Sequence, residues 1–205
     1  MARPRSVGEV PDAPIDRQAV TAVPIHFPIA ARWSPRAFDP AAELSDDDLL
    51  GLLEAARWAP TWGRRQPVRF IVGRRGDETF RALSELLKRG NSYAKAAGAL
   101  ILLCADEGED DQTALYSGVD AGAAMGSLLI EAVARGLIGH PMAGFDRPGA
   151  AAAFGLPDGL RPLMVIAVGT LGDYGDVASE IAERDSQPRS RLPIDEIVLN
   201  RTFGS

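Results

Sequence analysis

The sequence is poor in residues that bind transition metals, with one cysteine and two histidines among 205 residues. Cys104 alone cannot form an internal disulfide, and its position in the apolar run ALILLCAD predicts a small buried strand residue. His26 and His140 are too few to complete a zinc-ligand cluster with it. We therefore expect no metal site and no disulfide framework.

Long apolar runs and an excess of positive charge are also lacking. No uninterrupted apolar segment approaches the roughly 20 residues that span a bilayer, and the N-terminal stretch lacks the apolar core of a secretory signal. The 22 lysines and arginines are outnumbered by 28 aspartates and glutamates, which gives a net charge of −6. This balance argues against nonspecific attraction to nucleic acid or anionic membranes. We expect a cytoplasmic protein with neither partner, in which any anion binding is local.

The motifs of the common nucleotide-binding folds are missing as well. The chain contains no G-x-G-x-x-G after a strand, no G-x-x-x-x-G-K-[ST] and no G-x-S-x-G nucleophile elbow. If a phosphate group binds to this chain, arginine side chains rather than a glycine-rich loop must hold it.

The composition, 46% apolar and 24% charged, is that of one globular domain. Residues 1–30 contain many prolines and little periodicity, which predicts an extended N-terminal arm. Residues 31–205 are predicted to form the single domain, which ends in a polar tail from Gly172 without a packed core of its own.

Apolar periodicity predicts alternating helices and strands in this domain. Ser45 followed by three aspartates is typical of a capped helix start, and Pro60 forbids the helix to continue. The predicted elements are a helix from 45 to before 60, strand 68–73, helix 77–89, strand 97–105, helix 115–137, loop 140–146, helix 147–154 and strand 162–172.

Three glycines recur every fourth residue of the longest predicted helix, at Gly118, Gly122 and Gly126. Each costs about 1 kcal/mol relative to alanine in a helix, so we expect a close helix approach as compensation. Asp120 and Glu131 within the segment argue against a membrane helix. The spacing favours a tightly packed central or dimer-interface helix, with a crowded crossing inside one subunit as the alternative.

Two short arginine clusters lie near opposite ends of the chain. Arg32, Ser34 and Arg36 occur within ARWSPRAF, and Arg189 and Arg191 flank Ser190 in the tail. Arginine presents a planar fork of donors that suits phosphate oxygens. One anion held by both clusters is the functional interpretation, and solvated surface arginines are the alternative.

Two loops carry aromatic, amide and glycine groups that suit a flat, hydrogen-bonding ring. They are WAPTWGRRQP at 58–67 and HPMAGFD at 140–146. For Trp58, packing at the helix end is the favoured interpretation, while Trp62 is equally suited to packing or ligand contact. Asn91 is expected to form a turn, with contact to the ring as the alternative.

Five motifs in order resemble those of the nitroreductase family of FMN-dependent oxidoreductases. They are R-x-S-x-R, A-P-T-W-G-x-x-Q-P, G-F-D, P-x-x-x-I-A-V-G and R-x-R-x-P, and they span roughly residues 30–199. The resemblance implies an α+β fold of three α/β/α layers, in which helices flank a mixed, mostly antiparallel sheet. It also implies an intertwined homodimer with two FMN molecules at the subunit interface.

The resemblance assigns the candidate residues to parts of FMN. Arg32, Ser34, Arg36, Arg189 and Arg191 would bind the phosphate. Loop residues 60–62 would reach FMN from the partner subunit, while the 142–144 segment would lie along the isoalloxazine with the Gly144 N–H near N5. No catalytic acid or base is implied, because the flavin N5 carries the hydride. The complete predicted set is Arg32, Trp33, Ser34, Arg36, Pro60, Thr61, Trp62, Gln66, Pro141, Met142, Ala143, Gly144, Arg189 and Arg191.

The implied activity is NAD(P)H-dependent reduction of a small electrophilic acceptor, such as a nitroaromatic or a quinone, with ping-pong kinetics. The alternatives are a specialised flavin reaction, such as reductive dehalogenation or flavin breakdown, and a flavin-binding or redox-sensing module with little turnover. Two positions depart from the family pattern. Arg64 stands where asparagine is common, and Val68 stands where tryptophan often follows Gln-Pro.

Overall fold

The computed structural model describes residues 17–200, so most of the predicted N-terminal arm lies outside the described residues. The described chain folds into helices and strands that alternate along most of its length. They are α1 (Phe27–Ala31), α2 (Asp46–Arg57), β1 (Val68–Arg74), α3 (Glu78–Leu86), β2 (Ala99–Asp106), α4 (Asp111–Ala134), β3 (Ile138–Met142), α5 (Arg147–Ala153), β4 (Leu160–Gly169), α6 (Ser179–Ser186) and α7 (Ile194–Ile197), with 3₁₀ turns at Arg89–Ala96 and Tyr174–Asp176.

The strands form one sheet in the order β1-β2-β4-β3, and each neighbouring pair is antiparallel. The register between β2 and β4 shifts where Leu103 faces Met164 and Cys104 faces Pro162. Leu163 is thus the extra residue of a bulge beside a proline, which cannot donate to the ladder. The parallel pairing that a mixed sheet requires does not occur within residues 17–200.

Helices cover both faces of the sheet. Alternate residues of the buried strand β2 point to opposite sides: Ile101 packs with Leu52 of α2 and Leu128 of α4, whereas Leu102 packs on the α3 side with Leu83. The result is the predicted α+β fold of three α/β/α layers. Cys104 packs in the core on the α3 side of the sheet, with Leu102 and Leu83, and is 1% exposed. Burial raises the pKa of its thiol to about 11.

Side-chain caps set the helix starts. Ser45 Oγ accepts from the Asp48 N–H at 3.0 Å, which confirms the predicted start of α2. Asp110 caps α4 in the same way, so that helix begins four residues before the predicted 115. The end of α3 was predicted too late, because Leu87 leaves the helix and forms a bridge with Phe145.

Two segments are more ordered than the sequence predicted. The 140–146 loop prediction was wrong for its first three residues, since His140, Pro141 and Met142 form the end of β3. β3 is an edge strand in this sheet, where a proline is tolerated. The tail does pack against the domain, because α6 brings Asp185 to 4% exposure.

Helix α4 is, among the described residues, the one helix long and apolar enough to cross a membrane by length and composition. The core helix of a soluble protein can have the same length and composition. Leu128 and Leu129 pack on the sheet, and Asp120 lies within the helix at 5% exposure. Its buried side therefore has the character of a core helix.

Candidate functional site

The structure brings the two predicted arginine clusters together. Arg189 Nη2 donates to the Arg32 carbonyl at 2.9 Å, although 157 residues separate them. Its Nη1 donates to the carbonyls of Ala30, at 3.1 Å, and of Arg17. Arg189 therefore fastens the tail onto the segment that follows α1.

Four guanidinium groups converge at this junction, on Arg17, Arg32, Arg189 and Arg191. Burial lowers the pKa of Arg32 and the positive charge of Arg191 lowers it further. Burial likewise lowers the pKa of Arg189, with Arg32, Arg191 and Arg17 acting in the same direction. Like charges shift one another's pKa in this way only at short range. We refer to these four residues as the arginine cluster.

The arginine cluster is not neutralised by carboxylates. The ion pairs formed by residues 17–200 involve other arginines, and no Asp or Glu of this part of the chain lies within 4.0 Å of these four guanidinium groups. Arg17 is buried and Arg32 and Arg189 are half-buried, while Arg191 is exposed. Partly desolvated cations beside one another are unfavourable unless an anion joins them. The donor set suits a phosphate group, to which arginine binds with paired hydrogen bonds.

Sequence reasoning missed Arg17. Its side chain is 8% exposed, donates to the Gln187 carbonyl at 2.6 Å and lies over the Trp33 ring at 5.0 Å. Trp33, a predicted site residue, thus supports a cation of the arginine cluster. Nothing in the surrounding proline-rich sequence distinguishes Arg17 from an ordinary solvated arginine.

Arg36 occupies a different environment from the arginine cluster. Its Nη1 lies 2.5 Å from Asp185 Oδ1, and its backbone N–H donates to Asp185 Oδ2 at 2.6 Å. Tyr174 donates its hydroxyl to the same Oδ2 at 2.8 Å. Arg36 therefore contributes little net charge to the cluster, while Ser34 lies half-buried between it and Arg32.

The 142–144 segment, which the resemblance places along the isoalloxazine ring, is held by Asn91. Asn91 Nδ2 donates to the Gly144 carbonyl at 2.8 Å, and the Lys88 N–H donates to the same oxygen at 3.0 Å. A Cβ at Gly144 would lie 2.8 Å from Asn91 Nδ2, so a larger residue there would displace the Asn91 amide from its bond to the Gly144 carbonyl. Met142 is buried, Pro141 and Gly144 are half-buried, and Ala143 is exposed.

His140 joins this strand end to the arginine segment. Its Nδ1 lies 3.0 Å from the Pro35 carbonyl, and its ring centroid is 5.1 Å from that of Tyr93. Burial lowers the pKa of His140, and the Arg36 guanidinium adds to this effect. A neutral imidazole that donates from Nδ1 to Pro35 satisfies the geometry. The 32–36 and 141–144 segments therefore lie side by side.

The 58–67 loop is anchored on α4. The Trp62 N–H donates to Asp120 Oδ1 at 2.9 Å, and the Trp62 ring stacks on Tyr116 with centroids 4.8 Å apart. Gly63 follows with φ of +61°, a conformation that favours glycine. The helix-end packing expected for Trp58 was wrong, since its side chain is 76% exposed. Pro60, Thr61, Arg64 and Gln66 are exposed as well.

This loop and the arginine cluster are two separate parts of the candidate site. The hydrogen bonds and ring contacts of Trp62 and Arg65 run to α4, not to the cluster, within the part of the chain that the structure describes. Behind the loop lies a largely apolar cavity of about 400 Å³, which Thr61, Gln66, Phe70 and Asp120 help to line. One chain therefore presents an anion site and, apart from it, a loop with an adjoining pocket.

Comparisons with known proteins agree with this arrangement of elements. The model of the Nitroreductase family matches residues 29–112 and 85–170. A solved structure, an oxidoreductase containing FMN, is 31% identical, with a TM-score of 0.81 over 91% of this chain and 96% of that chain.

Two curated relatives were also found. An uncharacterized 15.4 kDa protein of Mycolicibacterium smegmatis is 60% identical over 148 aligned positions, covering 67% of this chain and 99% of that protein. YdgI of Bacillus subtilis, named provisionally as an NAD(P)H nitroreductase, is 26% identical over 206 aligned positions, covering 81% of this chain and 92% of that protein. The extent of the family match establishes that the chain belongs to the nitroreductase family.

Proposed function

We propose that this protein is an FMN-dependent oxidoreductase that takes electrons from NAD(P)H and passes them to a small electrophilic acceptor such as a quinone or a nitroaromatic. Family membership supports the reaction class. The observation that carries the cofactor assignment is the arginine cluster, whose four guanidinium groups converge without a carboxylate among residues 17–200. The FMN-containing structure that resembles this chain supports the same assignment.

The residues fit a phosphate group joined to a flat ring. Arg32 and Arg191 would bind the phosphate oxygens, with Arg17 and Arg189 adding positive charge from the two flanking segments. The Gly144 region would lie along the ring, at the strand end that Asn91 and Lys88 hold through the Gly144 carbonyl. When bound, FMN supplies the two-electron redox chemistry, so this chain needs no acid or base of its own.

The remaining predicted residues would act across a subunit interface. We propose that the protein is a cytoplasmic homodimer and that loop residues 60–62, with Gln66, contact the FMN held mainly by the partner subunit. The separation of the loop from the arginine cluster in one chain supports this arrangement. The anchoring of Trp62 by Asp120 and Tyr116 would keep the loop rigid, which favours binding of a rigid ring.

The test is a visible absorption spectrum after incubation with FMN and desalting, followed by anaerobic addition of NADPH or NADH. We expect retained flavin bands that bleach with the nicotinamide, and parallel initial-rate lines when a quinone is varied. Protein that retains no flavin, or retained flavin that neither nicotinamide reduces, would contradict the proposal.

Variants of the arginine cluster test the cofactor assignment separately. Arg32→Ala combined with Arg191→Ala removes two cations, and each charged hydrogen bond contributes about 1.5–3 kcal/mol. We therefore expect FMN affinity to fall at least about a hundredfold. Arg81→Ala, which removes an exposed arginine of α3, is the matched control and should leave FMN affinity unchanged.

A further inference from the structure

We propose that Asp185 is a positioning residue for the anion site, which aligns the two halves of the arginine cluster without touching the bound anion. The identity of the anion as the FMN phosphate rests on the proposed function.

Asp185 is buried and fully engaged. It is 4% exposed in α6, and its two oxygens accept from three donors, the Arg36 guanidinium, the Arg36 backbone N–H and the Tyr174 hydroxyl. A buried carboxylate is tolerated when it is both paired and hydrogen-bonded in this way. Burial raises the pKa of Tyr174, and its bond to Asp185 raises it further, so the hydroxyl remains a donor.

The position of the contact explains its role. Arg36 lies four residues after Arg32, and Asp185 lies four residues before Arg189, so one ion pair joins the two segments that carry the cluster. The tail is also attached farther along, where Arg189 donates to the carbonyls of Arg32 and Ala30 and Arg17 donates to the Gln187 carbonyl. These attachments lie on the C-terminal side of α6, so the Asp185 pair fixes the α6 end of the tail against the Arg32 segment.

The bond of His140 to the Pro35 carbonyl holds the Arg36 end of this arrangement on the sheet. Asp185 therefore docks the tail against a segment that is itself anchored to β3. Loss of the Asp185 contact would leave all four cations of the arginine cluster in the chain but would release their alignment. Charge-assisted hydrogen bonds to phosphate depend on that alignment.

The direction in which an Asp185 variant changes anion affinity distinguishes a positioning role of Asp185 from a purely electrostatic one. Asp185→Asn removes a negative charge that lies against Arg36, beside the segment that carries Arg32, so a purely electrostatic role predicts tighter binding of an anion. A positioning role predicts weaker binding, because the neutral amide cannot pair with the Arg36 guanidinium and accept from both other donors. The two roles thus predict opposite changes in FMN affinity.

The experiment compares FMN with riboflavin, which has the same ring but no phosphate, by fluorescence titration of the full chain. We expect Asp185→Asn to weaken FMN binding about tenfold, the loss of roughly one charge-assisted hydrogen bond, and to leave riboflavin binding unchanged. The control Glu183→Gln removes the same charge from an exposed position of α6 and should bind both ligands like the unmodified protein. Equal or tighter FMN binding by Asp185→Asn, or an equal loss for both ligands, would overturn the proposal.

A second variant covers the case in which Asp185→Asn does not fold. Tyr174→Phe removes one of the three donors without changing any charge, and we expect a loss of FMN affinity of roughly threefold that spares riboflavin. No loss in this variant would overturn the inference.

If the unmodified protein binds neither flavin, the proposed function fails, and inorganic pyrophosphate replaces FMN as the probe. Positioning then predicts a pyrophosphate-induced rise in melting temperature that Asp185→Asn loses and Glu183→Gln keeps. The absence of that rise in the unmodified protein, or its persistence in Asp185→Asn, would contradict the role of Asp185.

Discussion

Two arginines of one short motif have different environments. Arg32 is half-buried beside other cations, whereas Arg36 lies against the carboxylate of Asp185. The sequence places both in ARWSPRAF and predicts the same phosphate-binding role for each. Only the fold, which brings α6 to Arg36, distinguishes an arginine that is free to bind an anion from one already paired.

This difference predicts that Arg36→Ala lowers the stability of the protein more than Arg32→Ala does. Arg36→Ala leaves Asp185, whose side chain is 1% exposed, as an uncompensated buried charge, so we expect the free energy of unfolding to fall by about 3 kcal/mol. Arg32→Ala should cause no comparable loss, because it removes a cation from among others. Urea denaturation of both variants gives the comparison. Equal stability losses for the two variants would show that the Arg36–Asp185 ion pair does not stabilise the fold.

His140 predicts a pH dependence of stability. Burial lowers its pKa below the ordinary value of 6.5, with Arg36 acting in the same direction and the nearby Asp185 and Pro35 carbonyl opposing it. Between the lowered and the ordinary pKa the unfolded chain binds more protons than the folded one, so the free energy of unfolding decreases as the pH falls below about 6.5.

The variant His140→Asn keeps a donor for the Pro35 carbonyl but does not titrate. We expect the decrease in the free energy of unfolding between pH 7.5 and 5.5 to be smaller in this variant than in the unmodified protein, by at most about 1.4 kcal/mol per pH unit. Guanidinium denaturation at both pH values measures it. Parallel pH profiles for the two proteins would mean that His140 contributes nothing to the dependence.

Among the helices and strands, the sequence predicted those whose position is determined by residues close together in the chain. The cap at Ser45 and the apolar run of β2 are encoded within a few residues, and the start of α2 and the strand β2 match the structure closely. β3 was missed because it is short and contains Pro141, which is tolerated only because the strand lies at the sheet edge. The docking of α6 was missed because one long-range ion pair of Asp185 leaves no periodic pattern in the sequence.

The close approach of α3 to β1 gives a prediction at this scale. A Cβ at Gly73 would lie 2.6 Å from the Cα of Phe80, a backbone atom that cannot move aside as a side-chain end can. We expect Gly73→Ala to lower the free energy of unfolding by about 1–3 kcal/mol through overpacking. Gly90→Ala is the matched control, since a Cβ there meets no atom within 4 Å. A Gly73→Ala variant as stable as this control would contradict the predicted overpacking.

For the whole molecule, the sequence predicted the arginine segments correctly as neighbours but could not place the 58–67 loop relative to them. That loop contacts α4 rather than the cluster, and in the proposed homodimer the second chain would bring the two together. The α4 glycines Gly118, Gly122 and Gly126 support this assembly, since an added Cβ at each meets no described atom within 4 Å. The alternative of a crowded crossing inside one subunit is therefore wrong for residues 17–200.

An exposed apolar surface accompanies these glycines. Leu115 and Val119 of α4 are 65% and 58% exposed, and Leu50 of α2 is 59% exposed. A helix that carries glycines where nothing crowds them gains no stability from those glycines in an isolated chain, because alanine would be the better helix former. Close approach by a second α4 in the proposed homodimer would supply the missing compensation.

We therefore predict that Gly122→Leu weakens dimerisation without disturbing the fold of the single chain. The added side chain has open space in one subunit but would hold the two α4 helices of a dimer apart. We therefore expect the association constant of the dimer to fall at least about tenfold. Sedimentation velocity across a concentration series measures the constant, and circular dichroism checks that helix content is kept. Arg81→Leu, which adds a similar apolar side chain to the exposed face of α3, should leave the dimer intact. A Gly122→Leu protein that dimerises as tightly as this control would place the subunit contact on another face, and the 60–62 loop would then need a different route to the flavin.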